Sequence, residues 1–222
     1  MSEKNVLHSC VAYFFTHVLT LRQNMDIIYP CNIPKRKKEN QMKKNLGAQL
    51  ALYPSPLVVI GTMNGEKPTW TLVAHTGIMS HDRLMVSLAQ AHFINDKIKE
   101  TGKLSINMVS EEMLPQADFV GSVSGAKSDK SEAFTYEIGE NGTPMIKDSP
   151  LSIECEVEDI YEKNGFDNFV LKFTGTYVQE ENLTEDGKIS YRNMKPVLFE
   201  FPTYEYLRTG DVISKCLSFQ KK

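Results

Sequence analysis

The chain has 222 residues, of which 41% are hydrophobic and 24% are charged, a balance typical of one globular domain with an ordinary core. Its 25 basic and 28 acidic side chains give a formal net charge of -3, so the chain lacks the positive footprint of a nucleic-acid-binding protein. No apolar run approaches the roughly 18 residues that a membrane-spanning helix needs. We therefore expect neither a nucleic-acid partner nor a membrane partner.

The cysteines and histidines show no metal-binding pattern. Cys10, Cys31, Cys155 and Cys216 lie far apart and form no Cys-x-x-Cys pair, and the five histidines form no His-Glu-x-x-His motif. The sequence therefore predicts no metal site. We interpret the cysteines as reduced thiols of a cytoplasmic protein.

The first 41 residues differ in charge from the rest of the chain. They hold six bases and three acids, whereas residues 42–222 hold 19 bases and 25 acids. A signal peptide and a basic arm for an acidic partner are both conceivable, although no small-residue cleavage site is present. No periodic pattern links this segment to the remainder of the chain. We therefore predict an N-terminal extension, residues 1–41, outside a functional domain that spans residues 42–222.

Short apolar runs in residues 42–222 predict mainly strands. Residues 57–63 form a β-rich run, Asn64-Gly65 is typical of a tight turn, and residues 69–74 form the predicted returning strand. Ile94 and Ile98 are four apart and Gly102 comes after them, so residues 92–101 are predicted to form a short helix. Further strands are predicted at residues 84–88, 104–109, 153–157, 169–173 and 197–201. The pattern indicates a mainly β chain, a closed or nearly closed antiparallel barrel with short capping helices.

Two segments have the features of an anion site. Residues 121–130 combine small residues, which leave backbone amides accessible, with two lysines, although a solvated loop has the same composition. Residues 87–95 join a strand end to a helix start, where free amides and His92 would suit a phosphate. His92 and Asn95 could also cap this helix, and the two roles are compatible.

A third segment has features of a site for a flat ring. Residues 69–78 contain the only tryptophan, Trp70, and a histidine, His75, on a predicted strand. The small residues Ala74 and Gly77 would let a planar ligand approach the backbone. Ordinary barrel packing by Trp70 is the alternative interpretation.

These segments together resemble the flavin reductase-like family, also called the flavoredoxin family, of the FMN-binding split barrel. The resemblance runs from about residue 42 to about residue 219. It depends on residues 56–65, residues 74–78, residues 99–107 and, most strongly, residues 118–130, which read DFVGSVSGAKSDK. Many family members carry an aromatic residue at His75 and a hydroxyl residue at Ile94, so the chain departs from the family at both positions.

The resemblance implies an antiparallel split β-barrel, a homodimer, FMN as cofactor and NADH or NADPH as reductant. It implies that backbone groups of residues 71–76 lie along the flavin ring, that residues 87–89 approach the ribityl chain, and that His92 and Asn95 lie near the phosphate. Ser124, Gly125 and Lys130 would close the site, and Lys130 is also a candidate donor to the flavin ring. The complete set of implied FMN-binding residues is Thr71, Leu72, Val73, Ala74, His75, Thr76, Ser87, Leu88, Ala89, His92, Asn95, Ser124, Gly125 and Lys130.

No acid–base pair or nucleophile is evident in the sequence. We therefore predict no catalytic side chain, because a flavin itself carries the hydride. Three functions agree with the pattern: an FMN-dependent reductase that uses NADH or NADPH, a flavoredoxin-type electron carrier without its own NAD(P)H turnover, and a split-barrel module for another ligand such as heme.

Overall fold

The computed structural model describes residues 42–219. The predicted extension, residues 1–41, therefore lies outside the described residues, together with Cys10 and Cys31. Residues 42–49 have no regular secondary structure and are exposed. Among residues 42–219, no helix is both long and apolar enough to cross a membrane.

Strands dominate the described chain, as predicted. The strands are β1 (Ser55–Pro56), β2 (Val58–Asn64), β3 (Lys67–Val73), β4 (Thr76–Ile78), β5 (Arg83–Ala89), β6 (Lys103–Met108), β7 (Tyr136–Ile138), β8 (Pro144–Ile146), β9 (Leu151–Lys163), β10 (Phe166–Val178), β11 (Leu198–Glu200) and β12 (Glu205–Leu207). The α-helices are α1 (Ile94–Thr101), α2 (Leu114–Ser122) and α3 (Tyr191–Met194), and a 3-10 turn spans Glu180–Asn182.

Seven strands form one curled antiparallel sheet in the order β3-β2-β6-β9-β10-β5-β4. One face of this sheet packs around Val86, Phe169 and Leu171, and helix α1 adds Ile94 and Ile98 to the same core. The curled sheet with few helices confirms the predicted mainly β, antiparallel split-barrel fold.

A second core lies on the other face of β2 and β3. Val59 and Trp70 pack there against Ala117 and Val120 of helix α2 and against Phe134. Because β2 is buried on both faces, its sequence is a continuous apolar run rather than an alternating one. Trp70 is fully buried, which agrees with the packing interpretation of this residue.

Two features predicted from single glycines, the end of helix α1 and the β2–β3 hairpin, are present in the structure. Helix α1 ends at Gly102, which has φ of 66° and donates its N–H to Ile98 O over 2.8 Å. The predicted hairpin also forms, but its turn is shifted by one residue, since Asn64 pairs with Lys67 in the ladder. Gly65, with φ of 66°, is the residue that takes the left-handed conformation.

Helix α2 was not predicted from the sequence. Leu114–Ser122 includes Gly121, which sequence inspection placed in a glycine-rich loop. The helix packs on β3, and a Cβ atom built on Gly121 would lie 2.8 Å from Leu72 Cβ. Tertiary packing against a neighbouring strand therefore fixes this helix, and it requires glycine at the point of contact.

Candidate functional site

A cavity of about 190 Å³ lies where strand β3, the start of helix α1 and the loop after helix α2 meet. We call it the lysine cavity, because Lys130 lines it. Its lining residues are Thr69, Trp70, Thr71, Ala91, His92, Phe93, Ile94, Gly121, Ser122, Val123, Ser124, Gly125 and Lys130. The structure therefore brings five of the predicted site residues together here: Thr71, His92, Ser124, Gly125 and Lys130.

Lys130 is buried without a neutralising carboxylate among the described residues. Its side chain is 5% exposed, and its Nζ donates to Val120 O over 2.7 Å and to Trp70 O over 3.1 Å. None of the ion pairs among residues 42–219 includes it. Burial lowers the pKa of this ammonium group. An ammonium has three N–H donors, so one remains for a ligand in the cavity, and a bound anion would compensate the buried charge.

His92 lies close enough to Lys130 for the two charges to interact. Burial lowers the pKa of His92, and the positive charge of Lys130 lowers it further. The backbone N–H of His92 donates to Ala89 O over 2.9 Å, which makes the turn between β5 and α1. The backbone N–H groups of Phe93 and Ile94, at the start of helix α1, have no backbone acceptor among the described residues, and both residues line the cavity.

Gly125 lets the loop after α2 approach this turn. A Cβ atom built on Gly125 would lie 2.7 Å from Phe93 Cδ1 and 3.2 Å from Thr69 Oγ1. Next to it, Ser124 O accepts from the N–H groups of Lys127 and Ser128, each over 3.0 Å, and closes a turn. The small residues of the glycine-rich segment thus shape the wall of the cavity, and the segment is not an unattached solvated loop.

A second cavity of about 380 Å³ adjoins the first and is mainly apolar. We call it the aromatic cavity. Its lining residues are Leu57, Leu72, Val73, Ala74, Asp118, Gly121, Ser122, Phe199, Tyr204 and Tyr206. It shares Gly121 and Ser122 with the lysine cavity, and it contains the predicted site residues Leu72, Val73 and Ala74.

The aromatic wall of this cavity contains a strained residue. Tyr204 has φ of 59°, a conformation that is costly for a bulky side chain, and its ring centroid lies 4.8 Å from that of Phe201. Tyr206 donates its Oη–H to Asp118 Oδ1 over 2.5 Å. Burial, together with this hydrogen bond, raises the pKa of Tyr206 to about 12, so its phenol stays protonated at neutral pH.

Six predicted site residues line neither cavity. They are His75, Thr76, Ser87, Leu88, Ala89 and Asn95. His75 Nε2 lies 3.0 Å from Tyr53 Oη, Ser87 Oγ lies 2.6 Å from Asn168 Oδ1, and Leu88 belongs to the barrel core. Their assignment to FMN remains a prediction.

The side chain of Asn95 belongs to a buried hydrogen-bond network in the described structure. Its Nδ2 donates to Asp167 Oδ2 over 2.8 Å and to Ala89 O over 3.2 Å. Helix α1 has no side-chain cap, since Phe93 occupies the N-cap position. The alternative that His92 and Asn95 cap the helix is therefore not what the structure shows.

Several lining residues were not predicted from the sequence. They include Thr69, Phe93 and Asp118, and the aromatic residues Phe199, Tyr204 and Tyr206 near the end of the chain. The aromatic-rich stretch at residues 199–206 was the available signal, but sequence alone does not place it beside β3.

The two adjoining cavities fit the two ends of a flavin mononucleotide. An uncompensated buried ammonium and helix-start amides suit a dianionic phosphate, and an apolar cavity with aromatic walls suits a planar ring. The cavities meet at Gly121, where the absence of a Cβ atom keeps helix α2 close to β3.

Comparisons with known proteins point to the same cofactor. The family model described as "Flavin reductase like domain" matches residues 50–207. The flavoredoxin of Methanosarcina acetivorans is 29% identical, with a TM-score of 0.76, and the match covers 80% of this chain and 97% of that chain. The flavoredoxin of Desulfovibrio vulgaris (Miyazaki F) is 30% identical, with a TM-score of 0.75 and coverage of 81% of this chain and 100% of that chain. No curated protein sequence matches this chain.

A third solved structure supports the fold alone. The FMN-binding protein of Thermus thermophilus, with bound 1-cyclohex-2-enone, is 18% identical, with a TM-score of 0.67 and coverage of 80% of this chain and 99% of that chain. The family match and the flavoredoxin neighbours support FMN as the cofactor and a flavin-dependent redox function. Since the family model spans most of the chain, the chain belongs to the flavin reductase-like family.

Proposed function

We propose that this protein is an FMN-binding oxidoreductase that transfers hydride or electrons between NADH or NADPH, its flavin and an acceptor. The phosphate of FMN is held in the lysine cavity by Lys130, His92 and the first amides of helix α1. The flavin ring is held in the aromatic cavity.

One observation carries this proposal. Lys130 is a buried cation whose polar contacts are two neutral carbonyl groups, Trp70 O and Val120 O. A buried charge without a counter-charge is costly, and a titratable group whose pKa is shifted by burial inside a cavity is a candidate ligand-binding group. The family match supplies a cofactor with a dianionic end of the required kind.

The protein's own groups bind and orient rather than react. FMN supplies the redox chemistry when bound, and no side chain among the lining residues is needed as a nucleophile. Lys130 and His92 provide positive charge and hydrogen-bond donors at the phosphate. Phe199, Tyr204 and Tyr206 exclude water from the ring side, and Asp118 fixes the ring of Tyr206 through its hydrogen bond.

We also propose that the protein is a homodimer. Strand β4 is an edge strand of the seven-stranded sheet, and Ile78 and Met79 at its end are 91% and 55% exposed. Exposed apolar groups at an open sheet edge favour pairing with a second chain. Sedimentation of the FMN-loaded protein at micromolar concentration tests this proposal, and a monomer would contradict it.

A second candidate function has its own support. Two solved structures near 30% identity are flavoredoxins, which favours an electron carrier without its own NAD(P)H turnover. Steady-state oxidation of NADH and NADPH, with and without added FMN, separates the two functions. A reductase oxidises one of them with an added acceptor, whereas a carrier does not. The absorption spectrum of the purified protein tests both, since flavin bands are expected and a heme Soret band would contradict both.

A further inference from the structure

Helix α2 places a carboxylate on the wall of the aromatic cavity. Asp118, Gly121 and Ser122 are three and four residues apart, so they lie on one face of the helix, and all three line this cavity. Among the described lining residues, only Asp118 has a charged side chain. The same helix accepts a hydrogen bond from Lys130 at Val120 O. The two adjoining cavities therefore carry opposite charges, positive in the lysine cavity and negative in the aromatic cavity.

The Asp118 carboxylate is held in place and is not neutralised by a neighbouring base. Tyr206 donates its Oη–H to Asp118 Oδ1 over 2.5 Å, which fixes the position of the carboxylate at the cavity wall. None of the ion pairs among residues 42–219 includes Asp118. Asp118 is exposed, so its interaction with a charged ligand in the cavity should be moderate rather than that of a buried pair.

A negative charge beside a flavin ring acts differently on the two redox forms of the ring. The oxidised ring is neutral, whereas uptake of two electrons and one proton leaves the reduced ring with one negative charge. Because like charges repel, a neighbouring carboxylate disfavours the reduced form, and charges near the ring are one means by which a protein tunes a flavin. Weaker binding of the reduced form lowers the midpoint potential of the bound flavin.

We propose that Asp118, positioned by Tyr206, lowers the midpoint potential of the bound flavin. This inference rests on the proposed function, which places the flavin ring in the aromatic cavity. The phosphate in the lysine cavity keeps its charge when the ring is reduced, so Lys130 contributes mainly to affinity, whereas Asp118 contributes to the potential. A lower potential makes the reduced flavin a stronger electron donor and extends the range of acceptors that it can reduce.

Redox titration of the FMN-loaded full-length protein by spectroelectrochemistry tests this role without NADH or NADPH. Asp118→Asn keeps an acceptor for the Tyr206 Oη–H and removes only the charge. We expect the ratio of the dissociation constants of oxidised and reduced FMN to rise about three- to tenfold, which raises the midpoint potential of this two-electron couple by about 15–30 mV. The affinity for oxidised FMN should change less than this ratio, because the oxidised ring is neutral.

Two further variants separate the charge of Asp118 from its position and from net charge. Tyr206→Phe should raise the midpoint potential by less than Asp118→Asn, since the carboxylate remains but is free to turn toward solvent. Asp159→Asn is the matched control, because Asp159 is an exposed carboxylate on strand β9 that lines neither cavity, and it should leave the potential unchanged. An unchanged or lower potential in Asp118→Asn, or an equal rise in Asp159→Asn, would overturn the role of Asp118.

Riboflavin affinity separates failure of this inference from failure of the ring placement. Tyr204 is exposed and lines the aromatic cavity, and in Tyr204→Gly the glycine takes the φ of 59° without strain. Loss of the aromatic ring should weaken riboflavin at least about threefold. If riboflavin binds as before, the ring placement fails, and the role of Asp118 fails with it. If riboflavin weakens but Asp118→Asn leaves the midpoint potential unchanged, only the role of Asp118 fails.

Discussion

Lys130 and Asp167 are both buried, charged and close to the start of helix α1, yet their surroundings differ. Asp167 is 1% exposed and accepts from Asn95 Nδ2 over 2.8 Å and from Gln90 Nε2 over 3.2 Å. The ammonium of Lys99 lies 3.0 Å from the same carboxylate. Lys130 has only neutral carbonyl partners among the described residues.

A buried charge that another side chain neutralises supports the fold, whereas a buried charge without a counter-charge is a candidate for ligand binding. The carboxylate of Asp167 is neutralised by Lys99 and accepts from Asn95, so it ties strand β10 to helix α1. The ammonium of Lys130 has no such partner among residues 42–219, and we propose that a bound anion compensates its charge. Burial of a charged group is therefore weak support for a ligand site by itself. The presence or absence of a neutralising side chain decides whether the group is interpreted as structural or as ligand-binding.

Removing the Lys130 charge should have the largest effect on cofactor binding. Lys130→Met keeps a long side chain but loses a charge-assisted hydrogen bond, worth about 1.5–3 kcal/mol. We expect FMN to bind at least about tenfold more weakly and riboflavin to be nearly unchanged, since riboflavin lacks the phosphate. Fluorescence titration of both ligands measures this. Equal losses for the two ligands would show that Lys130 only supports the fold.

Asp167→Asn should lower the stability of the fold without changing the preference for FMN over riboflavin, which is the opposite of the effect expected for Lys130→Met. It removes a buried carboxylate with three donors, so we expect the free energy of unfolding to fall by about 1.5–3 kcal/mol. The thermal midpoint should fall by about 2–4 °C per kcal/mol, and the ratio of FMN affinity to riboflavin affinity should not change. The exposed Asp159→Asn is a matched control on the neighbouring strand β9. A loss of FMN affinity alone in Asp167→Asn would contradict the comparison.

The stability effect of Asp167 should also depend on pH. Burial alone would raise the pKa of Asp167, but hydrogen bonds from Lys99, Asn95 and Gln90 outweigh it and hold the pKa below its usual range. A carboxyl group with a lowered folded pKa stabilises the fold above its unfolded pKa of about 3.9, and this contribution is lost as the pH falls through the folded pKa. The difference between wild type and Asp167→Asn should therefore shrink in acid. A constant difference down to low pH would contradict this assignment.

Protonation of His92 should have a smaller effect, which is a pH dependence of FMN affinity. Burial and the charge of Lys130 lower its pKa in the free protein, and a bound phosphate dianion would raise it again. A proton is therefore taken up on binding, and FMN affinity should rise a fewfold as the pH falls from about 8 to about 6.5. This range stays above the phosphate's own pKa of about 6. Riboflavin and the His92→Gln variant should lack this rise, and an identical rise in His92→Gln would rule out His92 as its source.

The smallest effect is expected from removal of residues 1–41. A chain that starts at Met42 should bind FMN as the full chain does, because both cavities are lined by residues 57–206. Its thermal midpoint should lie within about 2 °C of the full-length value, which corresponds to less than about 1 kcal/mol. A fall of several degrees would show that the extension belongs to the folded domain.

The sequence by itself determined most of the strands, the end of helix α1 and the family. Gly102 ends helix α1, alternating residues form β9 and β10, and the segment at residues 118–130 carries the family resemblance. These features depend on neighbouring residues, so one sequence is enough to predict them. The family then indicated FMN and named five residues that the lysine cavity contains.

Only the tertiary structure decided which polar groups are buried and how each is compensated. Lys130 reaches Trp70 O across 60 positions, and Asn95 reaches Asp167 across 72, so neither contact has a local sequence signal. The assignment of Asn95 to the phosphate remains a prediction, and the contact from its Nδ2 to Asp167 was not predicted from the sequence. The residues of the aromatic cavity also come from distant segments. Burial and charge compensation arise when such segments pack together, and that is the physical reason why composition and spacing did not reveal them.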